Sequence, residues 1–397
     1  MYKFEKMKFL VGNKLPIRIS LEPFNELVCD FLNDLSNELL KFKHIKNYSD
    51  IATFAFYSRK NNLLKIKDSL KDNFIRKGKG VIFHISPSNI PINFAYSFLF
   101  SIISGNSNIV RVPSRNFTQI KIICNHINKI FKKKKYQILK KSNSFVRYDK
   151  DDLINENLSL ICDGRMIWGG DKTIDEFKNF KTKVNSSDIL FRDKYSISLI
   201  NSDELAKIND LNFYNKLAEG FYNDTLLVDQ NACSSPHIIL WKGKKNAKAQ
   251  KIFWNSFFKF SKKKYQLEDM AISEKFTFYN KDLMNNQNIL NVKNYDNLLM
   301  VAKLKKLPSK RNILRGKWGY FYEININKIS NLTRIINNKF QTITYYGFKK
   351  SDLKNFIKSN NIEGIDRIVP IGRAMDIGMI WDGYNLKDNL TRIIDIK

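Results

Sequence analysis

The pattern of apolar and polar positions changes near residue 77. Before it, two stretches, Leu21 to Lys41 and Ser49 to Asn73, show helix-like spacing separated by polar breaks. After it, short apolar runs alternate with amphipathic segments, beginning with a β-branched and aromatic strand from Gly80 to Ile85 and an apolar helix from Ile90 to Ile103. Strands that alternate with helices predict an α/β fold with a doubly wound, mostly parallel sheet.

The same periodicity predicts the other elements of this first lobe. Further strands are expected at residues 108–112, 158–162 and 195–200, and helices at residues 116–132 and 173–178. Beyond Ile200 the pattern is again mixed, with apolar strands at residues 238–241, 320–324 and 342–346. We therefore predict a second α/β lobe in the later part of the chain.

A length of 397 residues exceeds the usual size of one domain, which favours two lobes. The predicted division has an N-terminal helical segment, residues 1–75, packing on the first lobe. A nucleotide-binding domain follows at 76–205, then a catalytic domain at 206–375 and a C-terminal segment at 376–397. The hydrophobic fraction of 43% is sufficient for real cores in both lobes.

The net charge of +30 raises the question of a polyanionic partner such as nucleic acid or an anionic membrane. The lysine-rich stretches at 132–135, 242–251 and 262–264 are scattered and form no arginine–aromatic stripe. We interpret the excess as compositional bias with a general attraction for anionic substrates, and expect no specific nucleic acid; a polyanion partner is the alternative. The N-terminal residues have no signal-peptide pattern, and the apolar run 90–103 is shorter than the ~20 residues of a membrane-spanning helix.

Cys233 is the most informative residue of the sequence. It lies among the small residues Ala232, Ser234 and Ser235, where a substrate carbon can approach its sulfur closely. A cysteine becomes a nucleophile when it is held as thiolate in a polar, partly open site, although a free cysteine is also commonly a small buried apolar residue. The four cysteines are widely spaced, without metal-ligand spacing, so we expect neither a disulfide framework nor a metal site, and a cytoplasmic location.

Four segments stand in a characteristic order along the chain: His84 to Pro91, Gly105 to Ser114, Trp168-Gly169-Gly170, and Asp229 to Pro236. This ordered set resembles the aldehyde dehydrogenase superfamily, and most of all its bioluminescence-type branch, the long-chain acyl-CoA (fatty-acid) reductases. The resemblance covers roughly residues 78–390. Two C-terminal segments, Arg367 to Gly372 and Trp381 to Tyr384, also resemble this branch. The resemblance implies Cys233 as the nucleophile of an acyl-cysteine intermediate and a cofactor held by Arg111, Pro113, Ser114, Arg115, Trp168, Gly169 and Gly170.

The chemistry of these residues agrees with such roles. Asn89 offers an amide donor at a strand end, where it could complete an oxyanion hole with the Cys233 N–H, or simply cap the next helix. Arg111 and Arg115 suit an adenosine 2′-phosphate, and no acidic residue nearby could hold a ribose hydroxyl pair, so we predict NADPH as the cofactor. The alternative is two solvated surface arginines. Trp168 is expected to pack in the core more than to stack on the cofactor.

One departure from the oxidising relatives concerns deacylation. Those relatives place a water-activating Glu upstream of the cysteine, whereas residues 191–197 contain none, and Asp193 is the only acidic substitute. A reductase that takes its acyl group from a thioester needs no hydrolytic base. His237, close to Cys233 in sequence, could stabilise the thiolate or point away, while His84 is expected to be a core residue.

The predicted function is NADPH-dependent reduction of an activated acyl group, from acyl-CoA or an acylated protein, to the aldehyde. The resemblance implies a long acyl chain, an acyl-protein synthetase or AMP-forming ligase as donor partner, and a homo-oligomer. Two alternatives remain open at this point. One is a reductase of a short acyl phosphate or semialdehyde-type substrate, and the other is a non-catalytic basic binding protein on the same fold.

Overall fold

The computed structural model describes residues 6–12, 14–87, 90–309 and 314–397. They form two compact units. Unit 1 runs to Arg192 and resumes at Met379, whereas unit 2 is the continuous segment Asp193–Gly378. The mixed α/β architecture with parallel sheets confirms the predicted fold class.

Unit 1 is built on a six-stranded sheet. Up to Arg192 its elements are β1 (Lys8–Val11), α1 (Glu26–Leu40), α2 (Ser49–Tyr57), α3 (Lys60–Ser69), β2 (Ile75–Gly78), β3 (Val81–Ile85), α4 (Asn93–Ile103), β4 (Ser107–Arg111), α5 (Thr118–Ile130), α6 (Gln137–Ser142), β5 (Asn143–Arg147), α7 (Asp152–Ile161), β6 (Gly164–Trp168), α8 (Asp171–Lys178) and β7 (Ser187–Phe191). The strand order is β1-β5-β4-β3-β6-β7, and only β1 is antiparallel. The chain leaves β3 first toward β4 and β5 and later toward β6 and β7, so the order reverses between β3 and β6. Open α/β sheets bind ligands at such a switch point, beyond the carboxyl ends of the strands.

The apolar run of residues 90–103 is a buried helix of this unit. All eleven residues of α4 are buried, which explains why the helix has no polar face. Gly105 ends the turn after α4 with φ +89°, and a Cβ at this position would lie 2.1 Å from the Leu21 carbonyl oxygen. Across the described parts of the chain, no helix combines the length and the apolarity that crossing a membrane requires.

One predicted strand is wrong. Residues 158–162 form the end of α7 and the turn after it, and the strand of this region is β6, Gly164–Trp168. The Asp151 side chain caps α7 by accepting a hydrogen bond from the Ile154 N–H at 3.1 Å, and the helix buries Ile154 and Leu158, four residues apart. A short apolar run does not distinguish a strand from the buried face of a helix, so the sequence pattern was ambiguous here.

Unit 2 has its own seven-stranded sheet. Its elements are β8 (Tyr195–Asn201), α9 (Ser202–Leu205), α10 (Leu211–Asp224), β9 (Pro236–Lys242), α11 (Asn246–Lys264), α12 (Asp269–Asn285), β10 (Ile289–Tyr295), β11 (Leu299–Leu304), β12 (Tyr320–Ile326), β13 (Phe340–Tyr346), α13 (Lys350–Ser359) and β14 (Arg367–Pro370). The order is β10-β11-β12-β9-β8-β13-β14, parallel except for β10. The predicted division placed β8 with residues 76–205, whereas β8 pairs here with β9 and β13. The roles assigned to the predicted domains stay predictions.

The C-terminal residues return to unit 1. They form a hairpin of β15 (Ile380–Trp381) and β16 (Tyr384–Asn385), then α14 (Leu386–Leu390) and β17 (Thr391–Ile394). Asp382 and Gly383 have φ of 48° and 80°, as a two-residue hairpin turn requires. β17 pairs with β2 in an antiparallel ladder. The buried Arg76 of β2 forms ion pairs with Asp72 and Asp388 and donates a hydrogen bond to Thr391. These contacts join the segment around β2 to the C-terminal segment around β17.

Candidate active site

Cys233 lies in unit 2, in the loop between α10 and β9. The loop begins with two consecutive left-handed residues, Asp229 at φ 54° and Gln230 at φ 57°. The buried Gln230 side chain stabilises this conformation by hydrogen bonds to backbone groups outside the loop. Its Oε1 accepts from the Gly319 N–H at 2.8 Å, and its Nε2 donates to the Tyr320 carbonyl at 3.3 Å. The loop that carries Cys233 is therefore shaped by the segment that leads into β12.

Cys233 differs from the other three cysteines in its exposure. It is half-buried, whereas Cys29, Cys124 and Cys162 are buried. Burial raises the pKa of those three thiols to about 11, about 12 and about 11. The Cys233 carbonyl accepts a hydrogen bond from the Ser196 hydroxyl at 2.7 Å, which links the loop to β8. Among the cysteines, Cys233 alone combines a fixed backbone with access for a reactant.

A cavity of about 70 Å³ opens beside Cys233, and charged groups form much of its wall. Its lining residues are Asp193, Lys194, Gln230, Asn231, Ala232, Cys233, His237, Arg315, Gly316 and Lys317. The Arg315 guanidinium contacts the Asp193 carboxylate at 2.8 Å and donates to the Lys194 carbonyl at 2.9 Å. Asp193, the acidic residue that could substitute for the missing base, is thus held in an ion pair.

His237 also lines this cavity, at the start of β9. Its ring is buried and stacks on Tyr195, with 5.3 Å between the centroids and 10° between the planes. Burial, followed by the charge of Arg315, lowers the pKa of His237 to about 3; Lys317 also lowers it, and a backbone hydrogen bond with Gly316 opposes the shift. Its Nδ1 has no hydrogen-bond partner within the described residues. His237 is therefore a neutral imidazole that shares a cavity with Cys233.

A second loop of unit 2, residues 371–376, packs beside the cysteine. Met375 Sδ lies 3.6 Å from the Ser234 hydroxyl. The buried Asp224 carboxylate, at the end of α10, fixes this loop by accepting from the N–H groups of Gly372 at 2.6 Å and Ala374 at 2.8 Å. Burial raises the pKa of Asp224 to about 7, although these two hydrogen bonds act in the opposite direction.

In unit 1, the predicted cofactor residues lie at the carboxyl edge of the sheet. Ile85 at the end of β3 is in register with Arg111 on one side and with Ile167 on the other. Arg111 and Trp168 thus end β4 and β6, the strands on either side of β3. The Arg111 guanidinium lies 4.5 Å from the centroid of the Tyr148 ring, and neither Arg111 nor Arg115 has an ion pair with a described carboxylate. The positive charges of Arg111 and Arg115 are therefore available to bind an anion.

The residues around these arginines divide into packed and open positions. Arg115 is exposed with its guanidinium 5.2 Å from the Phe117 ring centroid, Ser114 is exposed, and Pro113 is buried. No atom lies within 4 Å of a Cβ built at Gly170, so backbone there is open to a ligand. Gly169 has little such space, because its Cβ would lie 3.0 Å from Thr173.

Trp168 and His84 are core residues. Trp168 stacks on Phe191 at 3.7 Å and donates its indole N–H to the Ser97 hydroxyl at 3.1 Å. His84 bonds to Ser97 at 2.8 Å and to Asn108 at 2.9 Å, and burial lowers its pKa to about 4. Asn89, the predicted oxyanion donor, lies outside the described residues.

Sequence reasoning missed Arg315, Lys317 and Asp224. The signal for the first two was the Gly316 and Gly319 pair around Trp318, which marks a constrained turn before β12. Asp224 gave no signal, because a carboxylate at a helix end is usually solvated. In the described parts of the chain, no group of histidine, cysteine and carboxylate side chains is arranged to hold a metal ion.

The fold is that of the aldehyde dehydrogenases. Aldehyde dehydrogenase 21 from Physcomitrella patens matches with a TM-score of 0.64 and 11% identity, over 94% of this chain and 85% of that chain. An NAD-dependent benzaldehyde dehydrogenase from Corynebacterium glutamicum matches with a TM-score of 0.60 and 11% identity, over 98% of this chain and 96% of that chain. Proline utilization A from Bradyrhizobium japonicum matches with a TM-score of 0.63 and 9% identity, over 93% of this chain and 42% of that one. This chain therefore spans about two fifths of the proline utilization A chain.

Within this fold, residues 60–253 match the acyl-CoA reductase (LuxC) family. The match confirms the family resemblance predicted from the sequence. No curated protein matches the chain. The matched residues include both the sheet edge with Arg111 and the loop with Cys233.

Proposed function

We propose that this protein reduces an activated long-chain acyl group to the aldehyde with NADPH, through an acyl-cysteine on Cys233. The donor is a thioester, either acyl-CoA or an acylated partner protein. The single observation that carries the proposal is the accessibility of Cys233 on its fixed loop, in a chain that matches the acyl-CoA reductase family. An acyl-protein synthetase or AMP-forming ligase as donor partner, and assembly as a homo-oligomer, belong to the same proposal.

The residues of unit 1 fit a phosphorylated nicotinamide cofactor. Arg111 at the end of β4 and Arg115 in the loop after it are without a described carboxylate partner, and the turn after β6 offers open backbone at Gly170. Arg111 and Arg115 would hold the 2′-phosphate, with Pro113 and Ser114 shaping their loop and Trp168, Gly169 and Gly170 forming the opposite border. When bound, NADPH supplies the hydride that reduces the acyl carbon.

The residues of unit 2 perform the acyl transfer. The Cys233 sulfur forms a bond to the carbonyl carbon of the thioester while the donor thiol leaves, and backbone N–H groups with Asn89 stabilise the oxyanion. The pairing of Asp193 with Arg315 supports slow hydrolysis of the acyl-cysteine, because a carboxylate engaged by a guanidinium is not placed to take a proton from an attacking water. The acyl-cysteine therefore persists until it is reduced.

The test is turnover with a panel of acyl donors. The protein is mixed with NADPH and acyl-CoAs of increasing chain length, and NADPH absorbance and aldehyde are followed together. We expect equal consumption of NADPH and formation of aldehyde, greatest with long chains. Turnover only with short acyl phosphates would contradict the proposed substrate, and no turnover together with salt-dependent polyanion binding would contradict catalysis itself.

A further inference from the structure

We propose that Arg315 and Lys317 stabilise the thiolate of Cys233, so that fixed cationic charge activates this cysteine and His237 does not act as its base. The inference rests on the proposed role of Cys233 as nucleophile. It adds two residues and a mode of activation that the family match and the fold do not provide.

The first support is the shape of the cavity wall. Arg315, Gly316 and Lys317 form one wall of the cavity that Cys233 and His237 also line. Gly316 is locked in place, because a Cβ there would lie 1.6 Å from the Tyr320 carbonyl oxygen. The Arg315 guanidinium is fixed by its contacts with Asp193 and the Lys194 carbonyl. The positive charge of Arg315 is therefore preorganised.

The second support is the balance of charge around the cavity. The ionisable groups that face it are Asp193, Lys194, Arg315, Lys317 and His237. Lys194 is paired with Asp366 at 3.0 Å, and Arg315 with Asp193 at 2.8 Å. The exposed Lys317 has no ion pair with a described carboxylate, and its Nζ lies 5.1 Å from the Trp318 ring centroid. The three cations that line the cavity are thus opposed by one carboxylate of the lining, Asp193, and by Asp366, which pairs with Lys194 without lining the cavity, so the excess of positive charge favours an anion.

The third support is the state of His237. Arg315 and Lys317 both lower the pKa of this imidazole, in addition to the larger effect of burial, and bring it to about 3. Positive charge that opposes a proton on His237 stabilises a negative charge on a neighbouring sulfur. An imidazole with so low a pKa is also a weak base for a thiol, whose ordinary pKa is roughly 8.5. The lowered pKa of His237 thus reports the positive electrostatic potential in the cavity where the thiolate forms.

The resulting acyl transfer is balanced without a protein base. The Cys233 thiol releases its proton to water, and the thiolate sulfur forms a bond to the carbonyl carbon of the thioester donor. The carbon–sulfur bond of the donor then breaks, and the leaving thiolate takes up a proton from water. No electrons are exchanged in this step, so no oxidant or reductant is needed.

The experiment measures the rate of Cys233 alkylation by iodoacetamide from pH 5 to 10, by mass spectrometry of the full-length protein and its peptides. In Arg315→Met and in Lys317→Met we expect the midpoint of the profile to rise by roughly one pH unit, which is about a tenfold loss of reactivity at a pH well below both midpoints. Arg315→Lys, which keeps the charge, should stay close to the wild type. His237→Asn, and Lys259→Met as a control for an exposed lysine of α11, should leave the midpoint unchanged.

A midpoint that moves with His237→Asn and not with the two cationic positions would overturn the proposal in favour of a histidine base. Unchanged midpoints in all variants would overturn it as well. Because Lys317 is exposed, its variant remains informative even if Arg315→Met fails to fold. Alkylation requires neither NADPH nor an acyl donor, so failure of the proposed reductase activity would leave this result readable.

Discussion

The sheet edge of unit 1 and the cysteine cavity of unit 2 are constructed in different ways. At the sheet edge, Arg111 and Trp168 are the last residues of their strands, and the register of β4, β3 and β6 aligns them. The cavity is lined by Cys233 and by Arg315, which are 82 residues apart in the sequence and lie on two different loops. The edge depends on strand periodicity alone, whereas the cavity depends on long-range contacts of buried polar groups such as Gln230.

The strongest way to separate the two regions is to remove the proposed nucleophile, Cys233. Cys233→Ser should abolish acyl labelling and aldehyde formation, because a serine hydroxyl in this cavity is a far weaker nucleophile than a thiolate. Binding of NADPH, followed by fluorescence titration, should survive because the proposed cofactor residues are in unit 1. Cys29→Ala, which removes a buried thiol, serves as the control and should still be labelled. Full activity of Cys233→Ser would refute the covalent mechanism.

Without NADPH, the acyl group should remain bound to Cys233. Since the only described acidic group lining the cavity is paired with Arg315, we expect deacylation to be slower by roughly 10²–10⁴-fold than with a positioned base. Intact-protein mass spectrometry after mixing with acyl-CoA alone should show the added acyl mass for many turnover times. Rapid release of free fatty acid, with no mass on the peptide of Cys233, would mean that Asp193 or His237 is a working base.

The loop contacts of unit 2 should make its stability sensitive to pH. The folded-state pKa of Asp224 is raised to about 7, so the folded protein retains a proton that the unfolded chain releases near pH 4. Stability from this group is therefore present below pH 4 and is lost as pH rises through 7, by about 4 kcal/mol in total. Thermal unfolding measured between pH 4 and 8 should show the decline in the wild type and a flatter profile in Asp224→Asn. Asp352→Asn, at an exposed position of α13, is the matched control; parallel profiles for the wild type and Asp224→Asn would contradict this assignment.

At the sheet edge we expect a smaller and more specific effect. Arg111→Ala should weaken NADPH binding by about 1.5–3 kcal/mol, because one charge-assisted contact to the 2′-phosphate is lost, and should leave NADH binding almost unchanged. Titration of both cofactors against the wild type, Arg111→Ala and Arg115→Ala measures the difference. A wild type that prefers NADH would show that the cofactor assignment is wrong.

Much of the fold could be predicted from the sequence because strand and helix periods are local properties. The Gly80–Ile85 run became β3, and the apolar run of residues 90–103 contains the buried α4. The same reasoning failed at residues 158–162, where an apolar run of helical spacing was interpreted as a strand. The family match then confirmed the resemblance that the ordered motifs suggested.

The site was less accessible to sequence reasoning. Cys233 could be selected because its neighbours are small, and Trp168 could be recognised as a packing residue. Arg315 and Lys317 could not be selected among 68 basic residues, since only the fold shows which of them face the cysteine. Asp224 was hidden for a similar reason, because its burial depends on the loop of residues 371–376 that closes over the end of α10.

The pairing of β2 with β17 has a consequence for synthesis on the ribosome. Arg76 and Thr391, which bond to each other across this ladder, are 315 residues apart. At about 5–20 residues per second, the partner of β2 is made roughly 15–60 seconds after β2 itself. The whole of Asp193–Gly378 emerges in that interval as one uninterrupted segment with its own sheet. We therefore expect the later unit to complete its fold before the earlier one, with the nascent edge of β2 left for a chaperone to cover in the meantime.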